Sequence, residues 1–207
     1  MAAAGVAAIA FAPHSGWAAV VALGGSRADP RVLARSRALM TDPHDPQSKQ
    51  PYHAVESLGV EEAARRLDGY MAVADRMAYA AIQALAKDLS RRGHLAASVG
   101  VLESSGRKGS SLASTLASHA LIHTADGDHF RNALAAAAER SGLSVTRVRA
   151  RDLEAQAEAC LPPGLQEAVK QFGRQVGPPW GADQKMAALL AWLLLDRASR
   201  GGRQTTR

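Results

Sequence analysis

His14 and Ser15 stand side by side in Pro13-His14-Ser15-Gly16, between two apolar runs that carry no charge. An imidazole there can act as a general base or bind a transition metal, and it can orient the neighbouring hydroxyl. The competing reading is turn chemistry, with Ser15 bonding its local backbone. His119, His123 and Asp126 are spaced by four and then three residues. On a helix they share one face, as metal or phosphate ligands would; a half-exposed polar face interrupted at Gly127 is the alternative. Glu103 ends an apolar run and is either a functional acid or a loop acid paired with Arg107 or Lys108. Asp183, just ahead of a last apolar stretch, has the type and place of a helix N-cap.

Gly106-Arg107-Lys108-Gly109-Ser110-Ser111 has the composition of a phosphate cradle. It lacks the G-x-x-x-x-G-K-[ST] spacing of a nucleotide-binding P-loop. Its backbone N–H groups and two cations suit a nucleic-acid phosphate instead. Pro51-Tyr52-His53 lies in a polar, Pro-rich stretch expected to be a loop that could cover the site. Trp17, Trp180 and Trp192 are expected in the core, with Trp180 the one placed to stack on a base. Cys160 reads as a buried structural thiol.

These residues need elements to hold them. Val6–Ala12 and Trp17–Leu23 are short, apolar and separated by Pro and Gly, which predicts two buried strands joined by a tight turn. Residues 31–41 alternate and predict a third strand at or near an edge. Residues 60–91 carry Leu67, Met71, Ala74, Ala78, Ile82 and Leu85 near helical spacing. Leu95–Leu102 predicts a fourth strand, parallel to an earlier one because a long helix precedes it. A second helical region is predicted over about 112–140, a fifth strand over 144–149, and a helical segment over 152–173 broken at Pro162-Pro163-Gly164. A last helix runs to about 197.

The chain has 207 residues and a net charge of +6. Arg197, Arg200, Arg203 and Arg207 lie in the last eleven residues; without them 21 basic residues face 19 acidic ones. Much of the basic excess is therefore a tail, 198–207, predicted to be disordered, either solubilising or an arm for phosphates. Residues 1–197 are expected to form one domain. One cysteine excludes an intrachain disulfide and accords with a reducing cytoplasm. No apolar stretch of about 18 residues is free of charge, so no membrane span is expected.

The order of elements, βββαβαβα, predicts an α/β fold with a mixed five-stranded sheet and helices on both faces. That order resembles the ribonuclease H-like superfamily, and within it Holliday-junction resolvases of the RuvC type. The likeness rests on the hairpin Ile9–Val21, on Glu103 at the end of the fourth strand, and on the Ala-rich closing helix that opens Ala182-Asp183-Gln184-Lys185-Met186. It implies nucleic acid as partner, allows a homodimer, and implies Mg²⁺ or Mn²⁺ held by carboxylates for phosphodiester cleavage. Carried over, Glu103 and Asp183 would hold metal, with His14 and Ser15 completing the site. Arg107, Lys108 and Lys185 would meet phosphate. The chain departs from the pattern at Ala12, which stands where the family has its first-strand Asp. Lys185 falls near the place of a second closing-helix acid. Two further readings follow: a catalytically degenerate module that binds nucleic acid or protein, and a nucleotide-handling enzyme using His14, His119 and His123.

Overall fold

The structure, a computed structural model, describes residues 4–201, with side chains as far as 195. Strands β1 (Gly5–His14), β2 (Trp17–Gly25) and β3 (Pro30–Leu39) form an antiparallel meander. Strand β4 (His94–Glu103) lies parallel to β1, and β5 (Ser144–Arg149) parallel to β4. The sheet order is β3-β2-β1-β4-β5, a mixed five-stranded sheet with helices on both faces. The expected edge position of β3 and parallel crossover into β4 are both present.

The central strands are buried on both faces, so alternate residues enter two separate cores. Ala8, Ala10 and Ala12 of β1 and Ala19, Val21 and Leu23 of β2 face helix α7 (Ala182–Gly201). Ala7, Ile9 and Phe11 of β1 and Ala18, Val20 and Ala22 of β2 face helices α2 (Val60–Arg91) and α4 (His119–Arg140). The small residues on the first face let α7 lie close. A Cβ on Gly100 of β4 would come within 2.7 Å of Leu190 on α7. Helix α7 is apolar nearly all round because α5 (Leu153–Cys160) and α6 (Leu165–Val176) cover its outer side.

Four expectations change. The predicted loop 42–57 contains a 3₁₀ turn, Pro46–Lys49, and a short helix α1 (Pro51–Ala54), each with proline in its first turn. The helical region 112–140 is two helices, α3 (Leu112–Leu116) and α4, because the chain turns at Ala117-Ser118. Asp183 lies inside the first turn of α7 rather than capping it; the Gln184 side chain instead accepts from the Gly181 N–H at 2.9 Å. Helix α7 continues to Gly201, since Arg197–Arg200 holds no helix breaker, and the rest of the expected tail, 202–207, lies outside the described residues. Among the described residues no helix is long and apolar enough to cross a membrane.

The close approach of α7 is testable. Gly100→Ala should overpack this contact and lower stability by about 1–3 kcal/mol in urea unfolding. Leu190→Ala should cost about 2–5 kcal/mol, since Leu190 is fully buried. The double variant should cost clearly less than the sum, because the second change makes room for the first.

Candidate functional site

Strands β1 and β4 are parallel and therefore end at the same pole of the sheet. The β1–β2 turn, the loop 104–111 after β4, the first half of α4, helix α1 and the start of α7 all gather there. A cleft of about 330 Å³ is lined by Pro13, His14 and Ser15 from the first turn, and by Ser104, Gly106, His123, Thr124, Gly127 and Arg131 from the other elements.

On the α7 side of the pole, His14 Nε2 lies 3.0 Å from Asp183 Oδ2. Both side chains are partly exposed, so the pair contributes at most about 1 kcal/mol to folding. The His14 ring stacks on Trp17 at 4.5 Å, and the Arg37 guanidinium sits 3.7 Å from the centre of the Trp17 ring. Ser15 occupies the exposed turn beside them.

Glu103 ends on the other face. Val99 and Val101 belong to the α2/α4 core, and alternation carries Glu103 to that side. Its carboxylate pairs with Arg147 of β5, whose other nitrogen donates to Asn132 of α4 at 2.7 Å. Glu103 and Asp183 thus share a pole but not a face, and each is held by a different cation or imidazole. Neither expected partner of Glu103, Arg107 or Lys108, is the one it takes. Toward α7, the strand positions leading to the pole are Ala12 and Leu102, and then His14. None of these side chains offers an oxygen beside Asp183, so they do not complete a carboxylate set for a Mg²⁺ pair.

The α4 side of the pole is rich in imidazole. His119 and His123 lie one turn apart, both exposed, with their Nε2 atoms 3.0 Å apart. The His53 ring of α1 packs edge-on to both. One ring nitrogen of each of the three lies within 4.8 Å of the other two. Asp126 is not a third exposed group on that face. It is 2% exposed and stands behind His53, bonded to His53 Nδ1 and accepting the Tyr52 N–H at 2.7 Å. Burial pushes its carboxyl above the usual range, while the bonds from His53 and Tyr52 oppose that shift. Sequence reasoning placed His53 in a covering loop and missed its part in this cluster. Sixty-six positions separate it from His119, and no periodicity links them.

The loop 104–111 is fastened from below. Asp128, also buried, lies 3.5 Å from Lys108 Nζ and 3.6 Å from Arg131, and it accepts from Ser104 at 3.4 Å. Arg107 is exposed on the same loop. Lys185 is exposed on α7 and lines a separate groove with Lys170, Glu154 and Met186, away from the cleft. Trp180 donates to the Val169 carbonyl at 2.9 Å and packs on Gly173, so its ring serves the α6 contact. Cys160 is half-buried against the α7 core.

The architecture is that of the ribonuclease H-like fold, in its RuvC-like form. Two solved structures similar to the chain over nearly its whole length are both RuvC from Thermus thermophilus. One is in complex with a Holliday junction substrate, at 12% identity and a TM-score of 0.52, covering 95% of this chain and 96% of that one. The other, at 16% identity and a TM-score of 0.51, covers 94% and 96%. No protein-family model and no curated protein sequence matches the chain.

His129 supplies a pH test of the packing under the site. It is 3% exposed, its Nε2 has no hydrogen-bond partner, and burial holds its pKa down at about 4 from an ordinary 6.5. Between those values the unfolded chain binds a proton that the folded chain refuses. Stability should therefore fall as pH drops from about 6.5 to 4, by roughly 3 kcal/mol from this residue. His129→Phe should flatten that part of the stability–pH curve measured by denaturant unfolding.

Proposed function

We propose that this protein binds nucleic acid at the pole where β1 and β4 end. The observation that carries the reading is the loop 104–111. It presents Arg107 and Lys108 beside the cleft, on a fold whose similar structures include one bound to a DNA junction. Exposed cations on a Gly/Ser loop contact phosphates without reading sequence. The Arg37–Trp17–His14 stack adds a cationic aromatic surface of the kind on which unpaired bases rest. The one cysteine accords with a cytoplasmic location, and a homodimer belongs to the same reading.

A second reading is metal-dependent cleavage of the bound strand. The observation that favours it is the His14–Asp183 pair at the cleft mouth, where a carboxylate-oriented imidazole can move a proton. Against the RuvC-type version stands the donor geometry: Glu103 and Asp183 lie on opposite faces, and Ala12 is 3% exposed. The binding module is therefore the leading reading.

Charge reversal tests the loop, and incubation with metal separates the two readings. Arg107→Glu with Lys108→Glu should weaken binding to branched and single-stranded DNA alike. It should also reduce the slope of log affinity against log salt by about 1–2. Unchanged affinity and slope would refute the loop's role. Incubation with Mg²⁺ or Mn²⁺ across a pH series should leave the substrate intact. Cleavage that disappears in Asp183→Asn would instead establish the second reading, and loss in Glu103→Gln as well would restore the carboxylate pair to it.

A further inference from the structure

We propose that His53, His119 and His123 form a binding site for one transition-metal ion of the zinc class, with a fourth position open to solvent. The three side chains come from two helices, and their ring nitrogens already converge within 4.8 Å. Two ligands one helical turn apart, completed by a third from another segment, make a common arrangement for zinc. Zn–N bonds of about 2.0–2.1 Å in a tetrahedron place ligand nitrogens roughly 3.3 Å apart. His119 and His123 stand at 3.0 Å, so little movement of exposed rings is needed.

A second, independent observation is the carboxylate behind the cluster. Asp126 engages His53 Nδ1, which fixes the tautomer and leaves Nε2 as the free donor. Its other oxygen holds the Tyr52 N–H, so the short helix α1 is pinned at the place where His53 must stand. A buried carboxylate spent on orienting one imidazole is expensive for a surface polar patch and ordinary for a metal ligand. The donors are all nitrogen, which selects Zn²⁺, Co²⁺ or Ni²⁺ over Mg²⁺ or Ca²⁺. His123 also lines the cleft that His14 and Arg131 border, so the site adjoins that space. The site does not rest on the nucleic-acid reading.

The test uses the full chain prepared without a polyhistidine tag, titrated with Zn²⁺ by calorimetry and with Co²⁺ by visible absorption. One equivalent should bind, Co²⁺ should give the intense bands of a four-coordinate site, and Zn²⁺ should raise the melting temperature. His119→Ala with His123→Ala should abolish all three effects, and His94→Ala, at the opposite end of β4, should abolish none. Both altered residues are exposed, and circular dichroism is the check that the variant folds. Asp126→Asn should weaken Zn²⁺ binding about 10–100-fold. The proposal is overturned if the double variant binds Zn²⁺ as the parent does, or if Co²⁺ gives only the pale spectrum of a six-coordinate aquo ion.

Discussion

Alternation along β1 and along β4 beyond its bulge governs this molecule. These central stretches are buried on both sides, so their inward residues belong either to the α7 core or to the α2/α4 core. A shift by one position would exchange every assignment. The constraint extends past the hydrophobic residues to the polar ones at the strand ends. His14 continues the Ala8-Ala10-Ala12 series and meets Asp183 of α7. Glu103 continues the Val99–Val101 series and meets Arg147 and the α4 side. Two polar groups that end neighbouring parallel strands are thereby sent to different chemistry.

A second constraint acts within the α4 side. Asp126 is buried, and burial disfavours its charged form, so its oxygens need hydrogen-bond partners. It finds them in the Tyr52 N–H and the His53 ring. Helix α1 is only four residues long and would not persist alone. Its position is set by that carboxylate and by the packing of Val55 and Tyr52 near Leu67, Leu112 and Leu116. The imidazole cluster is thus built from exposed rings on a firm support, whereas the His14–Asp183 pair stands at a half-open edge.

The fold was legible because the signals that define it are local. Gly and Pro bracket the hairpin, alternation marks β3, and helical spacing marks α2, so strand order and the parallel β4 follow from connection length. The site was legible only in pieces. The spacing of His119 and His123 predicts two adjacent rings, and they are adjacent. It cannot reveal that the third imidazole comes from a Pro-rich segment sixty-six residues earlier, or that Asp126 points inward. Asp183 has the type of an N-cap, yet Gln184 serves the end of the helix and leaves Asp183 for His14. Each miss is a side-chain direction, which spacing along the chain leaves open until neighbouring elements are placed.

Similarity of fold across nearly the whole chain does not carry a shared metal site with it. On the face toward α7, the last buried strand positions before the pole are Ala12 and Leu102, and deeper along the helix Leu190 lies where a side chain on Gly100 would begin. A hydrated Mg²⁺ needs oxygen donors and room for several waters. Beside Asp183 the near partner is the His14 imidazole rather than a second carboxylate. On the other side of β4 the supporting carboxylate, Asp126, is buried and the exposed donors are nitrogen. Packing is the physical cause: alanine and glycine let the last helix settle on the sheet, so the strand positions below the pole on that face carry no ligand side chain, while exposed nitrogen donors gather on α4 and α1.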